Sequence, residues 1–554
     1  MRGSKGSSGR LRRGAAVALA VVLATALCPA RALAAAGDAV VHKKTGTDIE
    51  YTVTAEAGPG QGSAVLSGIA DDAAGTVAIP ASIMVMEDWE QPATYAVAGI
   101  AAGAFSGAAA SSGAVERIDI EGVIDVDPAA FSGLSEATAF TVRDQAMVER
   151  LEAAGIAPAR IACEPLLTKY VVFGDSIAAG YALQEYDNSD PLYDQMPTPS
   201  DAFATLVGAH LADAYGPAAT DNLAASGWTS QQLLDALSAG AYDAALADAT
   251  LVSVTIGSND LLGRFIEIIA EALAGIDDLS AEEVQALAAE AEADPSALEA
   301  DPGEDGLARK RPSPVRDLVE KIAAAIAQIN EAIEADPQLL AACETFAQVN
   351  QPSILAELHA RAPHAQVCWT TLYNPFYGQV LDLRALFPNL AGLVGDDVVL
   401  SIDLSGAGAR YIELMNEAFD KNTEGCTAVD LYEPFNNPGL TNVQIGRAED
   451  GSIVFGVDSH PNHDGHALIA RLMNAAIDAT YRPVAPPPAP EPEAEPPAAG
   501  GGSEAAAPGT PLASTGDGAP HPLVLAAAAG AALSLAAGAR RRMLAERDAV
   551  RSGS

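Results

Sequence analysis

Three short runs rich in apolar and β-branched residues, Leu167–Phe173, Leu251–Ile256 and Gln366–Leu372, recur among Ala- and Leu-rich stretches. Strands this apolar leave no wet face, so they predict a parallel sheet covered by helices on both sides. The helices expected around them are Leu206–Ala214, Gln231–Leu237, Ile354–Arg361 and His466–Tyr481. The pattern starts near residue 166 and runs to 481. A chain of 554 residues is too long for one core, so further units are expected on either side.

Residues 38–165 read as a small β-rich unit with internal repetition. Ala104-Phe105-Ser106-Gly107 returns as Ala130-Phe131-Ser132-Gly133, 26 residues later, which is the self-similarity of a solenoid. It resembles the leucine-rich repeats of bacterial surface proteins; a plain β-rich spacer is the simpler alternative. Within the larger unit, residues 264–350 are an excursion. Ser280-Ala281-Glu282-Glu283 has the pattern of a capping box opening an acidic helix, and Pro295, Pro302, Pro312 and Pro314 break up the stretch after it. This segment is expected to be helical, either a lid over a site or a solvated insertion.

Both ends carry addresses. Arg2, Lys5, Arg10, Arg12 and Arg13 precede the apolar run Ala15–Leu27, and Ala32-Leu33-Ala34 offers a small-x-small cleavage site, so residues 1–34 read as a secretory signal. Residues 482–511 are Pro/Ala/Glu/Gly-rich and suit a semi-extended stalk. Residues 512–554 hold Leu512-Ala513-Ser514-Thr515-Gly516, an apolar run from Pro522 to Ala539, and Arg540-Arg541-Arg542. This order resembles the sorting signal cut by Gram-positive sortases. The resemblance implies cleavage after Thr515 and attachment to peptidoglycan, on a secreted, wall-anchored protein.

The net charge of −42 argues against nucleic acid as a partner. Once the leader's Cys28 is gone, Cys163, Cys343, Cys368 and Cys426 remain, either as two disulfides in any of three pairings or as free thiols. Their spacing matches no zinc pattern.

The chemistry sits at the strand ends. Gly174-Asp175-Ser176 follows Tyr170-Val171-Val172-Phe173, so Ser176 stands where a buried strand turns into a helix. Free N–H groups at a helix start favour developing negative charge there. Gly227, in Asn222-Leu223-Ala224-Ala225-Ser226-Gly227-Trp228, has a bare backbone that a ligand can approach. Asn259 follows the strand ending at Ile256 and carries an amide with two donors. His460 lies in Asp458-Ser459-His460-Pro461-Asn462, with Asp458 near enough to orient the imidazole.

In this order the four blocks resemble the SGNH (GDSL-type) ester hydrolases over residues 168–480, and Tyr373-Asn374-Pro375-Phe376 resembles the bacterial lipolytic members. The resemblance implies an α/β, three-layer domain with a parallel sheet flanked by helices. It makes Ser176 the nucleophile, His460 the base and Asp458 its orienting acid. The Ser176 and Gly227 N–H groups and the Asn259 amide would form the oxyanion hole. The substrate would be a lipid, glycan or small-molecule ester, with no cofactor and no metal. Many family members place the acid three residues before the histidine, whereas here the gap is two. His460, His463 and His466 recur at a spacing of three, but no metalloprotease motif accompanies them, and the last two are expected at the surface. A wall-anchored adhesin whose hydrolase domain deacetylates glycans or is inactive is the competing reading.

Overall fold

The computed structural model describes residues 34–483 apart from 59, 87–91, 184–192, 275–300, 303–307, 310–313, 383–400, 423 and 448–452. The expected leader up to residue 33, the Pro/Ala stretch from 484, the sorting-signal-like end and the Ser280–Glu283 capping box all lie outside the described residues.

The first unit is built of β1 (Ala39–His42), β2 (Ile49–Ala55), β3 (Gly62–Ile69), β4 (Gly75–Ile79), β5 (Ser82–Met86), β6 (Pro92–Ile100), β7 (Val115–Ile120), β8 (Asp125–Val126), β9 (Ala139–Val142) and β10 (Ile161–Cys163). One sheet runs β1-β2-β3-β6-β5 with β8 added at β6; the other runs β10-β9-β7-β4. The two Ala-Phe-Ser-Gly copies stack on each other. Gly99 pairs with Asp125 in parallel, the Phe105 N–H donates to the Ala130 carbonyl at 3.2 Å, and the Phe105 and Phe131 rings lie 5.3 Å apart.

The second unit holds β11 (Thr168–Gly174), β12 (Ala218–Asn222), β13 (Leu251–Thr255), two short antiparallel pairs β14–β15 (Asp301–Pro302, Ala308–Arg309) and β17–β18 (Val380–Asp382, Ser401–Asp403), β16 (Gln366–Thr370), β19 (Cys426–Val429), and the hairpin β20–β21 (Thr441–Arg447, Ile453–Pro461). Its main sheet is ordered β12-β11-β13-β16-β19, and every pairing in it is parallel. Alternate side chains of β11 enter opposite cores. Val171 and Phe173 join one and Tyr170 and Val172 the other, as a period of two requires. The expected α/β layering is present, and the three strands read from the sequence fall within a residue or two of their observed ends.

The described helices of the excursion pack into the fold. The helix Pro314–Ala335 sends Ile326, Ile329 and Ile333 into the first core, each no more than 5% exposed. Arg264, on the helix Ser258–Ala274, grips Asp336 at 2.8 Å. Asp336 in turn caps the next helix, Pro337–Thr345, by accepting from the Gln338 and Leu339 N–H groups. Cys163, Cys343, Cys368 and Cys426 are free thiols.

Candidate active site

Because β11 has β12 on one side and β13 on the other, the chain winds away from it in both directions. In such a sheet the crevice opens beyond the carboxyl ends of the strands at that reversal. Ser176, the 223–228 loop and Ser258-Asn259 all follow carboxyl ends there.

Gly174 makes the turn out of β11. Its φ is +159°, and a Cβ there would meet the Thr255 carbonyl oxygen at 2.5 Å and the Ala178 Cβ at 2.7 Å. Asp175 then caps the short helix Ser176–Ala179, accepting from the Ile177 N–H at 3.0 Å. Its second oxygen accepts the Ser258 hydroxyl at 2.7 Å, tying the nucleophile turn to the Asn259 loop. Burial pushes the Asp175 carboxyl up to about 6, against its hydrogen bonds from Ser258 and Ile177 and the nearby His460.

His460 lies at the end of β21. Its Nδ1 is 2.7 Å from Asp458 Oδ1 and its Nε2 is 2.8 Å from Ser176 Oγ. An ionised carboxylate only accepts, so Nδ1 carries the proton and the bare Nε2 accepts from the serine hydroxyl. The two-residue gap works because of the strand. Thr441 pairs with Pro461 and Asn442 with Asp458, so Ser459 and His460 bulge out of the hairpin, and bulges re-aim side chains beside active sites. The His460 N–H also donates to Asp458 Oδ1 at 3.1 Å. One carboxylate oxygen thereby holds both the backbone and the ring.

Two aromatic residues complete the hold on this loop. Tyr373 donates to the Ser459 carbonyl at 2.9 Å and stacks on Phe435 at 4.2 Å between centroids. The Tyr181 ring lies 4.7 Å from that of His460. The sequence singled out the Tyr373 segment without assigning it a task, and its place directly after a core strand is the signal that could have done so.

Gly227 has φ +83° and nothing within 4 Å of a notional Cβ, so its backbone faces open space. Among the described residues its N–H has no hydrogen-bond partner. Asn259 donates one amide hydrogen to the Trp228 carbonyl at 2.9 Å, which sets the amide beside the Gly227 loop, and its second N–H has no partner among the described residues. The neighbouring Asp260 accepts from the Ser230 N–H at 2.9 Å and its hydroxyl at 2.5 Å. The structure thus brings Ser176, Gly227, Asn259, Asp458 and His460 to one edge of one sheet.

The three spaced histidines diverge. His463 lies exposed beside Asp201 at 3.1 Å. The expectation that His466 is a surface residue fails: it is fully buried, its Nδ1 accepts from the Phe203 N–H at 3.2 Å, and burial drives its pKa down to about 3. Among the described residues no group of three or more His, Cys, Asp or Glu side chains is arranged to hold a metal.

A model of the GDSL-like lipase/acylhydrolase family matches residues 172–468. Among solved structures, the chain is similar to an extracellular lipase from Streptomyces rimosus, at 19% identity over 56% of this chain and 99% of that one, TM-score 0.31. It is similar to phospholipase A1 from Streptomyces albidoflavus, at 18% identity over 56% and 99%, TM-score 0.31. A lipase/acylhydrolase from Enterococcus faecalis matches at 16% identity over 58% and 100%, TM-score 0.27. No curated protein matches the chain.

Proposed function

We propose, for a chain that belongs to the GDSL-like lipase/acylhydrolase family and is a carboxylic ester hydrolase, that it works by acyl transfer to Ser176 at the cell surface. The observation that carries this reading is the unbroken line from Asp458 through His460 to the Ser176 hydroxyl. Ser176 Oγ attacks the ester carbonyl while His460 Nε2 takes its proton. The tetrahedral oxyanion is met by the Ser176 and Gly227 N–H groups and the Asn259 amide. Collapse expels the alcohol, which receives the proton from His460. Water, deprotonated by the same nitrogen, then attacks the acyl-enzyme and releases the carboxylic acid.

Asp458 has a 43% exposed side chain, so water screens its charge and its main task is to orient the ring. Ser176→Ala and His460→Ala should remain folded and lose on the order of 10⁴–10⁶-fold in kcat on p-nitrophenyl acetate or butyrate, with Asp458→Ala milder. A phosphonate that labels a serine other than Ser176 refutes the assignment.

The setting is part of the same proposal. The leader supports export, and Leu512-Ala513-Ser514-Thr515-Gly516 with its apolar and arginine-rich tail supports sortase cleavage after Thr515 and linkage to peptidoglycan. The stacked Ala-Phe-Ser-Gly copies support a leucine-rich-repeat-like unit ahead of the enzyme. Muralytic digestion followed by C-terminal mass spectrometry should find the mature chain ending at Thr515. Full-length chain ending at Ser554 in detergent-extracted membranes would instead mean a plain tail anchor.

A further inference from the structure

The β-rich unit reaches into the hydrolase through the turn between β1 and β2. Lys44, half-buried in that turn, donates from Nζ to the Asn222 carbonyl at 2.5 Å. Asn222 is a junction. Its amide nitrogen donates to the Ala178 carbonyl, on the helix that begins with Ser176, at 2.8 Å, and its Oδ1 accepts the Ala224 N–H at 3.1 Å.

A second line starts from the same ammonium. Lys44 is within Coulombic reach of Asp194 and Asp221. Asp194 is 3% exposed and accepts both the Ser226 N–H at 2.7 Å and the Ser226 hydroxyl at 2.8 Å. Ser226 immediately precedes Gly227. The adjacent Gln195 donates to the Met86 carbonyl of β5, so the short turn bearing Asp194 is clasped by the β-rich unit from two sides.

We propose that Lys44 is a positioning residue for ester hydrolysis, through which the β-rich unit fixes the Gly227 loop against the nucleophile turn. The proposal rests on Ser176 as nucleophile and Gly227 as an oxyanion donor. A buried carboxylate needs a partner cation to stay ionised and in place. Without the Lys44 ammonium, the Asn222 carbonyl loses its charged donor and Asp194 its neighbouring positive charge, so the loop through Ala224 and Ser226 loosens and the Gly227 N–H leaves the place where the oxyanion forms. Substrate binding, which does not use that N–H in the ground state, is spared.

Lys44 also sets a pH limb. Burial lowers its pKa to about 8, against the pull of Asp194 and Asp221. The other titratable groups facing this cluster are His42 on β1, and Lys169 and Glu121, which stand against Asp221. Above pH 8 the ammonium becomes neutral, so the clasp weakens as pH rises.

The test is kcat and KM of the full-length enzyme, with active sites counted by phosphonate titration. Lys44→Met should lower kcat per titrated site by about tenfold and leave KM within about twofold, as a small misplacement of a donor does. Lys44→Arg should restore kcat and move the alkaline limb upward, and Lys44→Met should lack that limb. If Lys44→Met does not fold, Lys44→Gln keeps a donor for the Asn222 carbonyl without the charge and carries the same test. A wild-type kcat per titrated site in the uncharged variant overturns the inference. In that event labelling at Ser176 still upholds the nucleophile, whereas a wild-type enzyme that labels elsewhere fails at the earlier step.

Discussion

Among the residues around Ser176, two aspartates do opposite kinds of work. Asp458 is half open to water and serves by geometry, one oxygen taking both the His460 N–H and ring Nδ1–H. Asp175 is fully buried, and its ionised form is disfavoured by burial, with a pKa raised to about 6. In the unfolded chain an aspartate titrates near 4. Ionisation of Asp175 therefore costs stability; the cost is absent below about pH 4, grows between 4 and 6, and is complete above 6. Asp175→Asn keeps an oxygen for the Ile177 N–H. Urea denaturation should find it equal to the wild type at pH 4 and more stable by about 1–3 kcal/mol at pH 7–8. Its kcat should fall, because a negative charge that favours the His460 imidazolium is gone. A variant less stable than the wild type at pH 8 would show that the carboxylate is needed for the fold itself.

At the scale of elements, what could be read from the sequence is what carries a strong local signal. β11 and β13 are buried along their whole length and are followed by or end at a glycine, and the helix Ser230–Ser238 opens with a capping box of Thr229 and Gln232. β12 was missed because Ala218-Ala219-Thr220-Asp221-Asn222 is an edge strand with a polar sequence, defined only by its pairing with β11. The hairpin β20–β21 was missed for a similar reason: its strands pair with each other outside the main sheet. That omission hid why a two-residue gap suits Asp458 and His460, since the bulge is a property of two strands in register. The helix Leu404–Lys421 opens with Gly406 and Gly408 among small residues, which masks a face that buries Tyr411, Met415 and Phe419. The five candidate site residues could be singled out because each sits within a short motif at or just beyond the end of an element. The tie from Lys44 to Asn222 spans 178 positions and has no local signature.

At the scale of the whole molecule, the two units are joined by more than a linker. Met84 of β5 is 1% exposed and belongs to the hydrolase's apolar core rather than to that of its own unit. Thr94 on β6 donates to the Ala241 carbonyl, and Gln61 accepts the Ala244 N–H at 3.2 Å. Units that share buried side chains and side chain–backbone hydrogen bonds cannot lose one partner without exposing the other's apolar surface. The full-length chain should therefore melt in one calorimetric transition, although independent domains of this size ordinarily give two. Truncating Met84 to alanine removes the apolar plug from the hydrolase side and should cost about 2–5 kcal/mol. Because the plug spans the seam, the loss should also split the melt, with the β-rich unit and the hydrolase unfolding at separate temperatures. Two transitions already present in the wild type would mean that the seam is too weak to couple the units. A clasp through Lys44 would then have to act locally, on the Asn222 and Asp194 lines alone.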